Sequence, residues 1–191
     1  MNKNILVIAG PTCSGESVIT QEIIKLHKNF VRLITATTRK PRLNEKDGID
    51  YFFIAEEEFL ENIKNGNILE YTYIENRNEY YGGYKIELEK KLKLGYKIII
   101  NPDIVGAKYY KKNYNATTIF IKVRSIDVIE KRLKNRNLDI SNKELNIRIE
   151  NAKDEIKNQE SFYDYVVLNE QGKLKEAVLE IERILKKEKY I

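Results

Sequence analysis

The sequence predicts an α/β fold, a parallel five-stranded sheet covered by helices. Apolar runs of strand length alternate with helix-length amphipathic stretches over most of the chain, the pattern of a parallel three-layer sheet. The first run, Ile5–Ala9, is apolar throughout, as a strand buried on both faces must be, and it stops at Gly10-Pro11. The pattern changes over residues 37–84, which marks an inserted strand-rich lobe.

A turn follows the first strand, then a helix through about Leu26 with Val18, Ile19, Ile23, Ile24 and Leu26 at its apolar positions. Residues 30–35 read as the second strand. In the lobe, strand-like runs at 51–54 and Ile68–Ile74 flank an acidic helix over 55–64. Alternation returns with a helix at 84–94, a strand at 96–100, a helix over roughly 104–110, a strand at 117–123 and a helix at 125–135. Residues 137–142 break the pattern as a mobile cap would. A helix at about 143–158, a fifth strand at 163–168 and a helix at 173–187 complete the chain. Without repeats, linkers or low-complexity blocks, the 191 residues are read as one domain: core 1–36 and 85–191, lobe about 37–84, lid about 136–148.

Composition narrows the chemistry. Charged residues make up 33% of the chain with both signs interleaved, and 42% is hydrophobic, which argues against disorder. A net charge of +5 favours anionic ligands, but the basic residues form no stripe, so nucleic acid is not an expected partner. Cys13 is the only cysteine and His27, on a helix read as surface, the only histidine. An internal disulfide, a cysteine metal cluster and histidine-based catalysis are therefore excluded. No apolar run reaches membrane-spanning length and no signal pattern precedes Ile5, so the expectation is a cytoplasmic protein with no membrane partner.

Residues 10–17, Gly10-Pro11-Thr12-Cys13-Ser14-Gly15-Glu16-Ser17, lie between the first strand and the first helix. Their spacing is that of G-x-x-x-x-G-K-[ST], with Glu16 in the lysine position. In such a P-loop the glycines let successive amides curl around phosphate at a helix N-terminus, and Ser17 would hold Mg²⁺. A second motif is Thr35-Ala36-Thr37-Thr38-Arg39-Lys40-Pro41-Arg42, followed by Glu45, Gly48, Asp50 and Tyr51. Two guanidinium forks with a hydroxyl and a tyrosine make a clamp for a monophosphate.

At this second motif the chain resembles the guanylate kinase family, whose marker is S-x-T-T-R-x-P-R-x-x-E-x-x-G-x-x-Y. The resemblance continues in order through Ile68-Leu69-Glu70-Tyr71, Tyr80-Tyr81-Gly82-Gly83 and Asn101-Pro102-Asp103 with Gly106-Ala107. It runs on through Arg132-Leu133 with Arg136, Arg148 with Ala152, and Tyr163-Asp164 to Asn169. It implies a P-loop nucleoside-monophosphate-kinase fold with a GMP-binding lobe and a small lid, and an ATP-dependent kinase converting GMP to GDP with Mg²⁺. Thr35, Arg39, Arg42, Tyr51 and Tyr81 would then bind the acceptor phosphate. Glu70 would read guanine by accepting from N1–H and the 2-amino group, and Gly83, Asn101 and Asp103 would complete the GMP site, Asp103 also as a metal oxygen. Arg136 and Arg148, with Arg132, would compensate charge on the transferred phosphoryl group, and Asn169 would lie near adenine. The resemblance leaves monomer or homodimer open.

Three residues depart from the family pattern. Glu16 reverses a charge that touches the donor's phosphates, Gly83 lacks a hydroxyl offered to guanine, and Asn101 replaces an acid. Arg124, just beyond the strand at 117–123, is a candidate to replace the missing loop cation, since ligands in such sheets lie at the carboxyl ends of strands. Three readings stay open: a guanylate kinase impaired by Glu16, a non-catalytic nucleotide- or partner-binding module, and a kinase for another phosphorylated acceptor.

Overall fold

The computed structural model describes residues 3–43, 45–136 and 140–191. β1 (Ile5–Ala9) is the middle strand of a five-stranded parallel sheet of order β2-β7-β1-β8-β9, with β2 Phe30–Arg32, β7 Lys97–Ile100, β8 Thr117–Lys122 and β9 Tyr165–Leu168. Every residue of β1 is buried. Leu6 and Ile8 meet Ile19 and Ile23 of α1 (Glu16–Leu26) and Ile181 and Leu185 of α7 (Leu174–Lys187). Ile5, Val7 and Ala9 meet Leu88 of α3 (Lys85–Lys93) and Ala107 and Tyr110 of α4 (Ile104–Tyr114) on the other face. Each fully buried aliphatic side chain stabilises the fold by about 1.5–3 kcal/mol, so this two-sided strand anchors whatever follows it.

The second sheet, of order β4-β3-β6-β5, holds β3 (Thr35–Thr37), β4 (Phe52–Phe53), β5 (Ile68–Ile74) and β6 (Glu79–Tyr84). α2 (Glu56–Lys64) closes it through Phe59, which packs with Ala36 and Ile68. A last unit pairs α5 (Ile126–Arg136) with α6 (Asn142–Asp154) through Ile129, Leu133, Leu145 and Ala152. Ser141 caps α6 by accepting from the Glu144 amide, the spacing of a capping box. Residues 137–139 of the expected lid lie outside the described residues.

Several expectations need correction. The strand read at 30–35 is two strands in two sheets. Leu33 makes the last main-sheet bond, to Ile99 O at 2.9 Å, and Thr35 already pairs with Gly83 in the lobe. A strand at Glu79–Tyr84 was not anticipated, because Gly82 and Gly83 weaken its pattern. α4 runs past Tyr110 to Tyr114 and stops at Asn115, whose φ of 51° is left-handed. The helix read to residue 158 is α-helical only to Asp154, then turns wide over Glu155–Gln159. His27 terminates α1 and bonds Glu182 at 3.0 Å.

Candidate functional site

In a parallel sheet all strands end at one edge, and here the chain crosses from one side of β1 to the other, leaving a crevice at that edge. The loop of residues 10–17 follows β1, Asn101-Pro102-Asp103 follows β7, Arg124 lies beyond β8 and Asn169 directly follows β9.

Close approach shapes the loop. A Cβ on Gly10 would lie 2.5 Å from Ile121 O of β8, and one on Gly15, whose φ is 100°, 2.3 Å from Asn169 Nδ2. Cys13 is left-handed at φ 61°. The loop's carbonyls are tied down: Asn169 Nδ2 donates to Ser14 O at 2.7 Å, and Arg132 Nη1 donates to Cys13 O at 3.0 Å and Ser14 O at 3.3 Å. Glu16 folds back onto the loop. Ser14 Oγ donates to its Oε2 at 2.7 Å, and the amides of Glu16 and Gly15 bond the same carboxylate. Burial pushes the Glu16 carboxyl up despite these bonds and the Arg136 charge. A cleft of about 490 Å³ opens here, lined by Gly15, Glu16, Ser17, Arg132, Arg136 and Asn169 among others. Arg124 is not among its lining residues. Its side chain is 80% exposed and faces Glu170 at 3.5 Å, so the expected replacement cation is elsewhere, and Arg132 and Arg136 are the guanidinium groups at the loop.

Across the crevice, Thr35, Tyr51, Glu70, Tyr81, Asn101 and Asp103 line a pocket of about 170 Å³. Arg39 is nearly buried behind it. It donates to Tyr81 Oη at 3.2 Å and to both oxygens of Glu45 at 2.8 and 3.1 Å, and lies 5.4 Å from the Tyr51 ring centre. Burial opposes its charge, but Glu45 and Tyr81 outweigh that and raise its pKa. Arg42 differs: partial burial and the charges of Arg39 and Arg136 lower its pKa, outweighing the pull of Glu45. Arg42, Arg136 and Arg148 line one further cleft. Like charges gathered around one space call for an anion. Arg148 is meanwhile paired with Glu144 at 2.6 Å on its own helix.

Glu70 sits in a β-bulge, where the register of β5 against β6 slips between Ile68 and Tyr71. Bulges re-aim side chains, and this one turns the Glu70 carboxylate toward the pocket. Burial and the Asp103 charge push its pKa up to about 7, against weaker help from Tyr110 and the Gly83 amide. Asn101 donates from Nδ2 to Ile8 O at 2.8 Å and to Thr20 Oγ1 at 3.0 Å, which ties the pocket wall to β1 and α1, the elements that flank the loop of residues 10–17. Asp103 caps α4 through Oδ1, accepting from the Val105 and Gly106 amides.

Residues 2–188 match the family model described as guanylate kinase. The chain belongs to the guanylate kinase family. It is 40% identical over 185 residues to a guanylate kinase of Helicobacter pylori, covering 95% of this chain and 87% of the relative. A guanylate kinase of Rickettsia prowazekii is 38% identical over 167 residues, 87% of this chain and 83% of that one. The crystal structure of guanylate kinase from Anaplasma phagocytophilum superposes with a TM-score of 0.74 at 28% identity, covering 98% of this chain and 87% of that chain.

Against the family's marker, most of the expected acceptor residues line one pocket, with Arg39 and Arg42 beside it, while Gly83 is set back behind Tyr110. Sequence reasoning missed four residues. Glu45 stood in the marker, and its pairing with Arg39 was legible there. Thr72, two positions from Glu70 on the same strand face, lines the pocket with a buried hydroxyl that has no partner among the described residues. Glu155, in the wide turn, lines a cleft with Thr12, Asp103 and Arg148; burial and the nearby Glu16, Asp103 and Asp154 charges raise its pKa to about 7. Tyr110 bonds Glu70 and read only as a helix position.

Gly15→Ala is expected to cost about 1–3 kcal/mol in urea unfolding, since it forces a side chain into a left-handed conformation and displaces the Asn169 amide. A change below about 0.5 kcal/mol, the range of an ordinary surface substitution, would contradict this account of the loop.

Proposed function

We propose that this chain is a working guanylate kinase, transferring the γ-phosphoryl group of ATP to GMP to give ADP and GDP. The observation that supports this most is the preassembled acceptor site, in which Glu45 and Tyr81 hold Arg39 beside a pocket lined by the Glu70 carboxylate. Such parts recognise a purine monophosphate that presents adjacent N–H donors, as guanine does and adenine does not.

The acceptor phosphate lies among Arg39, Arg42, Tyr51, Tyr81 and Thr35, with guanine against Glu70. The donor's phosphates lie along residues 10–17 and its adenine lies near Asn169. Phosphoryl transfer asks little covalent chemistry of the protein, chiefly alignment and charge compensation, and Arg136 and Arg148 supply that compensation between the two sites. Arg132 acts through the loop, whose carbonyls it holds. Mg²⁺ supplies positive charge on the donor's phosphates when bound. Ser17, exposed on the first turn of α1, fits it, whereas no group of three or more His, Cys, Asp or Glu among the described residues could hold a metal unaided. The Glu16 carboxyl holds the loop's amides, and the donor has to displace it. No helix among the described residues is long and apolar enough to cross a membrane, and a cytoplasmic setting suits a reaction that draws on ATP and GMP.

A coupled ATP-consumption assay with GMP, dGMP, AMP, UMP and CMP tests the proposal. GMP and dGMP are expected to turn over, with the others slower by at least about 100-fold, the scale set by hydrogen-bonded recognition. Equal turnover of another monophosphate favours a different acceptor, and inertness with all five favours the binding module.

Glu70 gives a pH dependence. Its ionised form accepts from guanine, so kcat/KM for GMP should rise with pH, level off above about 7 and fall about tenfold per unit below it. In Glu70→Gln that inflection should vanish; its persistence would assign the titration to another group.

Arg42→Ala should weaken GMP binding by about 1.5–3 kcal/mol, the scale of a charged hydrogen bond. Calorimetry that finds GMP affinity unchanged would remove Arg42 from the clamp.

Replacing the loop's carboxyl group by a cation should speed transfer. Glu16→Lys is expected to raise kcat at least about 100-fold, or roughly 2.7 kcal/mol of barrier. Arg124→Ala should leave the rate unchanged, since its side chain faces solvent and Glu170. A fall in rate on Glu16→Lys would give the glutamate an active role.

A further inference from the structure

Tyr110 is fully buried in the middle of α4, where a hydroxyl without a partner would be costly. Its partner is the carboxylate of the acceptor pocket: Tyr110 Oη donates to Glu70 Oε1 at 3.3 Å. The same hydroxyl governs position 83. A Cβ built on Gly83 would fall 2.2 Å from Tyr110 Oη and 2.9 Å from Glu70 Oε1, closer than side chains come. Gly83 is not among the residues with positive φ, so lack of space, rather than backbone conformation, keeps it a glycine. On the carboxylate's other side Gly106 leaves matching room, since a Cβ there would lie 2.9 Å from Glu70 Oε2.

We infer that Tyr110 is the specificity-positioning residue of the acceptor site. Its hydroxyl fills the place of the side-chain hydroxyl that position 83 lacks, and holds the Glu70 carboxylate turned toward the acceptor's base. The inference rests on the reading of Glu70 as the group that recognises guanine. A carboxylate anchored through one oxygen meets the base already oriented, while an unanchored one loses rotational freedom on binding and binds more weakly. The hydroxyl comes from a helix of the core sheet, whereas Glu70 belongs to the lobe. Base recognition therefore links the two sheets, and the exchange of hydroxyl source explains why Gly83 and Tyr110 occur together.

Four proteins test this: the unmodified chain, Tyr110→Phe, Gly83→Ser and the double variant. Phenylalanine keeps the ring packing and vacates the hydroxyl's space, leaving a Cβ at position 83 at 3.5 Å from the ring's Cζ, an ordinary contact. Tyr110→Phe should raise KM for GMP about tenfold, the value of one hydrogen bond, with kcat within about twofold and GMP-over-AMP discrimination reduced by the same factor. Gly83→Ser alone should do more damage, with a lowered melting temperature. The double variant should recover both KM and discrimination, because the one close approach left, 2.9 Å from the position-83 Cβ to Glu70 Oε1, involves the end of a side chain that the anchoring hydroxyl no longer holds, and a small shift of the carboxylate admits the serine hydroxyl beside it. Unchanged KM and discrimination in Tyr110→Phe, with only its melting temperature lowered, would reduce Tyr110 to a packing residue and overturn the inference. So would a harmless Gly83→Ser whose effect simply adds to that of Tyr110→Phe. If the unmodified chain neither binds nor turns over GMP, the reading of Glu70 itself falls, and the inference with it.

Discussion

Withdrawing the Glu70 carboxylate from water costs more than the Tyr110 hydroxyl and the Gly83 amide return, and Asp103 adds repulsion, so its pKa rises to about 7. Much of the acceptor half follows from accommodating that one group. A bulge in β5 aims it, two glycines leave it room, and a hydroxyl from α4 holds it. Because the folded pKa exceeds the ordinary carboxylate value, Glu70 favours folding most at low pH. That contribution is lost as pH rises through about 4.5 to 7, and Glu155, also raised to about 7, behaves alike. Stability is given up near neutral pH at the groups that face the crevice, a common arrangement where a site must hold an unpaired group ready for its ligand.

The cationic side shows the same economy in mirror image. Guanidinium groups gathered around one crevice would repel, and the chain supplies internal acids to two of them. Glu45 takes both prongs of Arg39, Glu144 takes Arg148, and Glu16 lies on the loop's own amides. Glu45 and Glu16 differ in consequence. The first holds an arginine beside the pocket, while the second occupies the amides of Gly15 and Glu16, which under the proposed reading face the donor's phosphates. A glutamate in the loop therefore combines the loss of a cation with a carboxyl group seated on the loop's own amides.

Much of this was legible in the residues. An apolar run ending in Gly10-Pro11 could hardly be anything but a buried strand feeding a turn, and the motif from Thr35 to Tyr51 carried residues that the fold gathers in and beside one pocket. What failed were features set by partners rather than by period. The chain changes sheet between Leu33 and Thr35 inside one apolar run, and periodicity cannot register a change of neighbour. β6 was hidden because its two glycines answer to close neighbours, Gly82 to Glu70 O and Ile68 of β5 and Gly83 to Tyr110, not to strand propensity. Arg124 was judged by its place after a strand, but its side chain turns to Glu170 instead of the loop. Gly83 was read as a loss. The hydroxyl that crowds it belongs to Tyr110, remote in sequence and indistinguishable there from a core aromatic.

The central claim is that Glu70 reads two adjacent donors of the base, and a comparison of GMP with inosine monophosphate tests it without involving the donor loop. The two differ only in the 2-amino group, one of the two donors assigned to the carboxylate. Calorimetric titration in the absence of ATP should find inosine monophosphate weaker by about 10- to 150-fold, the value of one charged hydrogen bond. Equal affinities for the two nucleotides would contradict the claim and leave Glu70 a buried acid with no part in choosing the base.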